Sequence, residues 1–152
     1  FGDGLLLGIG YETDAKTSEK TGVKLTMFDI SDPINLRILD SVTINEDFCS
    51  AAENYKCAFV DTGRGLVGFA TETWTKTNYN RYMLFQWDGT SFVKKISLKR
   101  SQQKMDTWTG AEQMRGLSSG DRFYVLHVER DDFSLISYDM KNDFQEIETK
   151  KY

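Results

Sequence analysis

Apolar and polar residues alternate along short runs, and the runs recur. Lys24-Leu-Thr-Met-Phe-Asp29, Arg81-Tyr-Met-Leu-Phe-Gln-Trp-Asp88 and Ser134-Leu-Ile-Ser-Tyr-Asp139 each end in an aromatic residue followed by aspartate. Turn residues follow each one: Ser31-Asp32-Pro33, Gly89-Thr90-Ser91 and Lys141-Asn142-Asp143. A second alternating run then begins, at Arg37, Phe92 and Phe144. Period-2 alternation turns one side of a strand toward a core. An aspartate at a strand end accepts hydrogen bonds from turn amides two residues on and starts the reversal. The pattern therefore predicts one β-hairpin three times over.

Two more hairpins fill the intervals. Cys57 to Thr62 and Gly65 to Ala70 flank one turn, and Met114 to Ser118 and Asp121 to Val128 flank another. The repeated aspartates lie 59 and 51 residues apart, near the ~40–50 residues of a four-stranded propeller blade. The predicted fold is all-β, about three four-stranded antiparallel blades of a β-propeller. The first blade is incomplete, with strands at Leu5–Tyr11, Gly22–Ile30 and from Arg37 but no inner strand. Approximate units are 1–47, 48–100 and 111–152. No segment has a convincing helical period, and Gln102 to Met114 is the least strand-like stretch. Closed propellers have four to eight blades, and an open array exposes sheet edges. The expectation is a segment of a longer propeller, with self-association of copies through open blade edges as the other way to cover them.

Composition narrows the classes. Of the 152 residues, 13% are aromatic, which suits half-buried pleated surfaces, and a single proline with 28% charged residues argues for a folded chain. The net charge of −4 disfavours nucleic acid and anionic membranes, which need a positive field. No apolar run approaches the ~20 residues of a membrane span.

The resemblance lies in particular residues. Phe1-Gly-Asp-Gly-Leu-Leu-Leu-Gly-Ile-Gly-Tyr-Glu-Thr-Asp14, followed by Thr21-Gly-Val-Lys-Leu-Thr-Met-Phe-Asp-Ile-Ser-Asp-Pro33, resembles the β-propeller domain of secreted bacterial proteins, a family distantly similar to tryptophan–aspartate repeat propellers. Asn54 to Val60, Arg115 to Val125 and Ser137 to Met140 resemble its later blocks. Thr71 to Asn80 and Ser101 to Gln113 match none. The resemblance implies the C-terminal part of the domain, an extracytoplasmic (secreted or cell-surface) location and a non-catalytic or uncharacterised role, and it brings no catalytic residues.

No constellation reads as catalytic, metal-binding or cofactor-binding. Gly63-Arg-Gly-Leu-Val-Gly68 has the glycines of a dinucleotide loop, but that loop must open a helix. Here a strand follows, so a hairpin turn explains it. Gly8 and Gly10 alternate with Ile9, as in a strand that another backbone approaches closely. The lone His127 has no nucleophile signature beside it and reads as a sheet residue. The acidic pairs Glu12/Asp14, Asp29/Asp32, Glu46/Asp47 and Asp131/Asp132 read as solvated turn residues, with calcium at Glu12/Asp14 as a lesser reading. Lys94 to Lys104 is a basic run around inward-facing Ile96 and Leu98. Cys49 and Cys57 fit no zinc or redox spacing. They are two unpaired thiols or one disulfide.

The best ligand-binding candidates are Trp74, Tyr79 and Tyr82, set among polar residues, together with Trp108. Exposed aromatics with polar neighbours suit a protein or carbohydrate partner. The functional expectation is a non-enzymatic binding or interaction scaffold. The alternative is part of a hydrolase whose catalytic residues lie elsewhere.

Overall fold

A computed structural model describes residues 1–2, 4–74, 79–101, 113–129 and 132–152. The described residues form three antiparallel sheets in chain order. The first holds β1 (Leu5–Thr13), β2 (Lys20–Asp29) and β3 (Arg37–Ile44). The second runs from the edge pieces β4 (Phe48–Cys49) and β5 (Phe59–Asp61) through β6 (Leu66–Thr73) and β7 (Tyr79–Trp87) to β8 (Phe92–Ser101). The third is β9 (Met114–Ser119), β10 (Arg122–Glu129), β11 (Asp132–Asp139) and β12 (Gln145–Lys151). The first sheet lacks the strand that occupies the first position in the other two.

The inner edge of the second sheet departs from expectation. β4 and β5 pair with opposite ends of β6. Between them lie α1 (Ser50–Glu53) and a 3₁₀ turn at Tyr55–Cys57. One helical turn is too short to show a period, so alternation gave no sign of it. The Ser50 hydroxyl donates to the Ala70 carbonyl at 3.0 Å, satisfying an edge group of β6.

The aspartate turns form in all three sheets. Asp29 accepts from the Ser31 amide at 3.0 Å. Asp88 accepts from the Thr90 and Ser91 amides, each at 2.8 Å, and Asp139 from the Lys141 amide at 3.1 Å. Each hairpin also carries a bulge that alternation did not show. Leu39, Lys95 and Ile147 are the extra residues on β3, β8 and β12. A bulge increases the local twist, and here it recurs on the outer strand of every sheet.

Two cores hold the sheets together. Val23, Leu25 and Met27 of the first sheet meet Val67, Phe69, Met83 and Phe85 of the second. On the other side of the second sheet, Leu66, Ala70, Tyr82 and Leu84 meet Met114, Phe123, Val125 and Ile136 of the third. The middle sheet is therefore covered on both faces, and all eight residues of β6 are buried.

Glycine makes two of these approaches possible. A Cβ on Gly65 (φ +68°) would lie 2.6 Å from the Trp87 carbonyl, as a tight hairpin turn requires. A Cβ on Gly116 would run into the Tyr82 hydroxyl and lie 2.7 Å from Phe123 Cζ. Gly8 differs from its expected role: its nearest neighbour would be the Phe28 side chain at 3.2 Å, and Gly10 would meet nothing within 4 Å. The only backbone atom within 4 Å of the Gly8 position among the described residues is the Thr26 carbonyl of the paired strand, at 3.8 Å.

Of the two readings open for the cysteines, the structure holds the unpaired one. Cys49 and Cys57 are both free and buried. They sit at the two ends of the helical insertion.

Candidate functional site

Buried polar residues gather at one end of the middle sheet, where β6 leads toward β7. Glu46, Ser50, Thr71, Glu72, Thr73 and Asn80 are all buried there. The connection from β3 carries Glu46 and Asp47 onto this end. Asp47 accepts from the Thr73 hydroxyl at 2.9 Å and the Trp74 amide at 2.8 Å. Its own amide donates to the Glu72 carbonyl at 2.9 Å. One acidic side chain thus clamps the strand end just before Trp74.

Glu46 faces a compact charged group. Its Oε1 accepts from the Tyr79 hydroxyl at 3.1 Å and lies 3.3 Å from Arg81 Nε. That ion pair lacks hydrogen-bond alignment, and Glu46 Oε2 is buried with no partner among the described residues. Arg81 also donates to the Tyr79 hydroxyl at 3.1 Å. Lys99 Nζ stands 4.0 Å from the centre of the Tyr79 ring, a cation–π contact. Burial pushes the Glu46 carboxyl up from its ordinary value, while the Arg81 charge pulls it back. Burial and the Glu46 charge likewise raise the Tyr79 phenol.

The structure sorts the candidate residues. Trp74 is 52% exposed, and its ring leans on Phe48 with centroids 6.2 Å apart. Tyr79 is half-buried within the charged group. Tyr82 does not belong to this surface. It is fully buried in the core between the second and third sheets, because the alternation of β7 turns it to the opposite face from Tyr79 and Arg81. Trp108 lies outside the described residues, as does Asp131. The solvated reading of Glu46 is overturned: it is 4% exposed. A sequence search for this site would have needed to pair Glu46 with Arg81, and no local pattern links residues so far apart.

The remaining candidates read as structure. Asp14 accepts from the Lys16 and Thr17 amides, and Glu12 pairs with Lys24. Asp32 accepts from the Ile34 amide. His127 is buried on the face of β10 that meets the middle sheet. Ile96 and Leu98 face inward between the lysines of β8. Among the described residues no three His, Cys, Asp or Glu side chains come together as a metal group, and no helix is long and apolar enough to cross a membrane.

A groove of about 910 Å³ lies at the opposite end, where the aspartate turns of the second and third sheets meet the first residues of the chain. Its charges are committed to one another, Lys95 to Asp143 and Lys141 to Asp121, both at 2.6 Å. Its arginine, Arg64, ties the second sheet to the third through the Gly120 carbonyl at 3.1 Å. The groove works as a seam between sheets.

Three stacked sheets with recurring aspartate turns match the beta propeller domain family model over residues 1–136. The chain belongs to this family. No curated protein and no solved structure matches it. The three sheets are accordingly propeller blades, and the second and third run from an inner strand outward. The first blade begins at the second strand position.

Proposed function

We propose that this chain is a binding scaffold, three consecutive propeller blades that present a contact surface at the Trp74 end. One observation carries the reading. Trp74 is half-exposed, yet it is held by the Asp47 carboxylate at its amide and by Phe48 against its ring. An aromatic residue fixed in this way buries large area on contact at little cost in conformational freedom.

The Glu46–Tyr79–Arg81 group at the same end of the middle sheet stiffens the support. The partner in this reading is a protein or a carbohydrate, and the setting is extracytoplasmic, as the resemblance of the first forty residues implies. The test is to pan a peptide-display library and a glycan array with the chain and with Trp74→Ala. Ligands whose affinity falls ten-fold or more in the variant support the reading. If every ligand found binds both proteins equally, the contact surface lies elsewhere.

A further inference from the structure

The inner edge of the second blade is a single strand interrupted. β4 and β5 both pair with the same edge of β6, Cys49 opposite Thr71 and Phe59 opposite Gly68, while β7 holds the other edge. Ten steps along the chain, from Cys49 to Phe59, therefore cover only three steps of β6, roughly 10 Å. The surplus is folded into α1 and the 3₁₀ turn. Ala58 is extended (φ −77°, ψ 133°) and leads back from Phe59 toward Cys49. Cys57 thus stands near the level of Ala70, one step of β6 from the residue that Cys49 pairs with. Two segments offset by one step on one strand edge have Cα atoms roughly 5–6 Å apart, within the roughly 4.4–6.8 Å that a disulfide spans.

The two thiols share this neck. Cys49 is 0% and Cys57 1% exposed, and the charge of Cys57 is among the causes that raise the Cys49 thiol. β4 has two residues and β5 three, so backbone pairing alone holds the neck weakly. What it carries matters beyond the loop. Asp47 and Phe48, just before Cys49, hold the amide and ring of Trp74. The Cys49 amide donates to the Tyr11 hydroxyl at 3.3 Å, and that hydroxyl donates to Glu53 of α1 at 2.9 Å, tying the insertion to the first blade.

We propose that Cys49 and Cys57 are a redox pair: oxidation joins them, closes the neck of the insertion and fixes β4 in place. The structure holds the dithiol form. The oxidant is a small-molecule disulfide such as glutathione disulfide. Cys57 reacts first, because it closes a turn that begins at Tyr55, which is 79% exposed, while Cys49 lies in the core between the first and second blades. Cys57 loses its proton to water, and its thiolate attacks one sulfur of the oxidant, releasing one glutathione thiolate. Cys49 then loses its proton and attacks the Cys57 sulfur, which expels the second glutathione. Two protein thiols are oxidised and one glutathione disulfide is reduced to two thiols. A firmer hold on Trp74 is the benefit if the proposed contact surface is right, but the bond itself does not depend on that surface.

The test starts from the dithiol protein, incubated at pH 8 with millimolar glutathione disulfide and followed by mass spectrometry of tryptic peptides and by calorimetry. A single bond between Cys49 and Cys57 within one chain is expected. The melting temperature is expected to rise by about 5 °C and to return when dithiothreitol is added. Thiols that stay free, a lasting mixed disulfide, a bond between two chains, or a bond that leaves the melting temperature unchanged or lower each overturn the proposal. Cys49→Ala and Cys57→Ala, treated alike, are expected to show no rise, and a rise in either refutes the pairing. None of these readouts involves Trp74, so a failed contact surface and a failed redox pair give different results.

Discussion

Removing one oxygen atom should stabilise this protein. Tyr82 is fully buried between the second and third blades, and its hydroxyl has no hydrogen-bond partner among the described residues. A buried hydroxyl left unsatisfied costs about 1–3 kcal/mol of stability. Burial pushes its phenol far above its ordinary pKa, so it stays neutral at any working pH. Tyr82→Phe keeps the ring that fills the space over Gly68 and Gly116. The oxygen leaves a small void, which offsets part of the gain at roughly 24 cal/mol per Å³. A net gain of about 1 kcal/mol follows. Unfolding entropy runs at about 2.1 cal/mol/K per residue. Over 152 residues that is about 0.3 kcal/mol/K, so the melting temperature should rise by about 3 °C. Differential scanning calorimetry of both proteins at one concentration reads this directly. A melting temperature lowered by 3 °C or more would refute the reasoning, because it would mean the hydroxyl is bonded after all.

Four further outcomes follow from other parts of the molecule. Gly116→Ala should cost about 2 kcal/mol or more, since its Cβ would overlap the Tyr82 hydroxyl and press on Phe123; urea unfolding measures it. Asp29 and Asp88 are both held down at about 2 from the ordinary 3.8, Asp29 by the Ser31 hydroxyl and amide and Asp88 by the Ser91 and Thr90 amides. Carboxyls depressed in the folded state contribute stability above their unfolded pKa and lose it as pH falls through the folded one. The melting temperature should therefore fall between pH 3.8 and 2, and Asp88→Asn should flatten that fall; an unchanged slope would count against the turn. Burial raises the Cys49 thiol to about 11, so iodoacetamide at pH 8 should leave Cys49 intact in the native protein and modify it in urea, as followed by mass spectrometry. A reducing agent should leave the melting temperature unchanged, as both cysteines are free.

What lay open in the amino-acid order was everything that depends on near neighbours. Alternation marked the strands, and an aspartate before a polar turn marked each hairpin, because one carboxylate and the amides two or three residues on make that turn without outside help. The incomplete first blade could be counted the same way.

What only the tertiary structure decided was which face of a strand another blade would cover. β6 shows why. Both of its faces are buried, so Thr71, Glu72 and Thr73 are buried along with Val67 and Phe69, and polarity there no longer reports exposure. Tyr79 and Tyr82 looked alike among polar neighbours, yet their odd separation along one strand sends one to the charged cluster and the other into a core. Glu46 read as a turn residue until the second blade brought Arg81 and Tyr79 beside it. Burial of this kind is set by packing between residues far apart in the chain, and a local pattern carries no record of it.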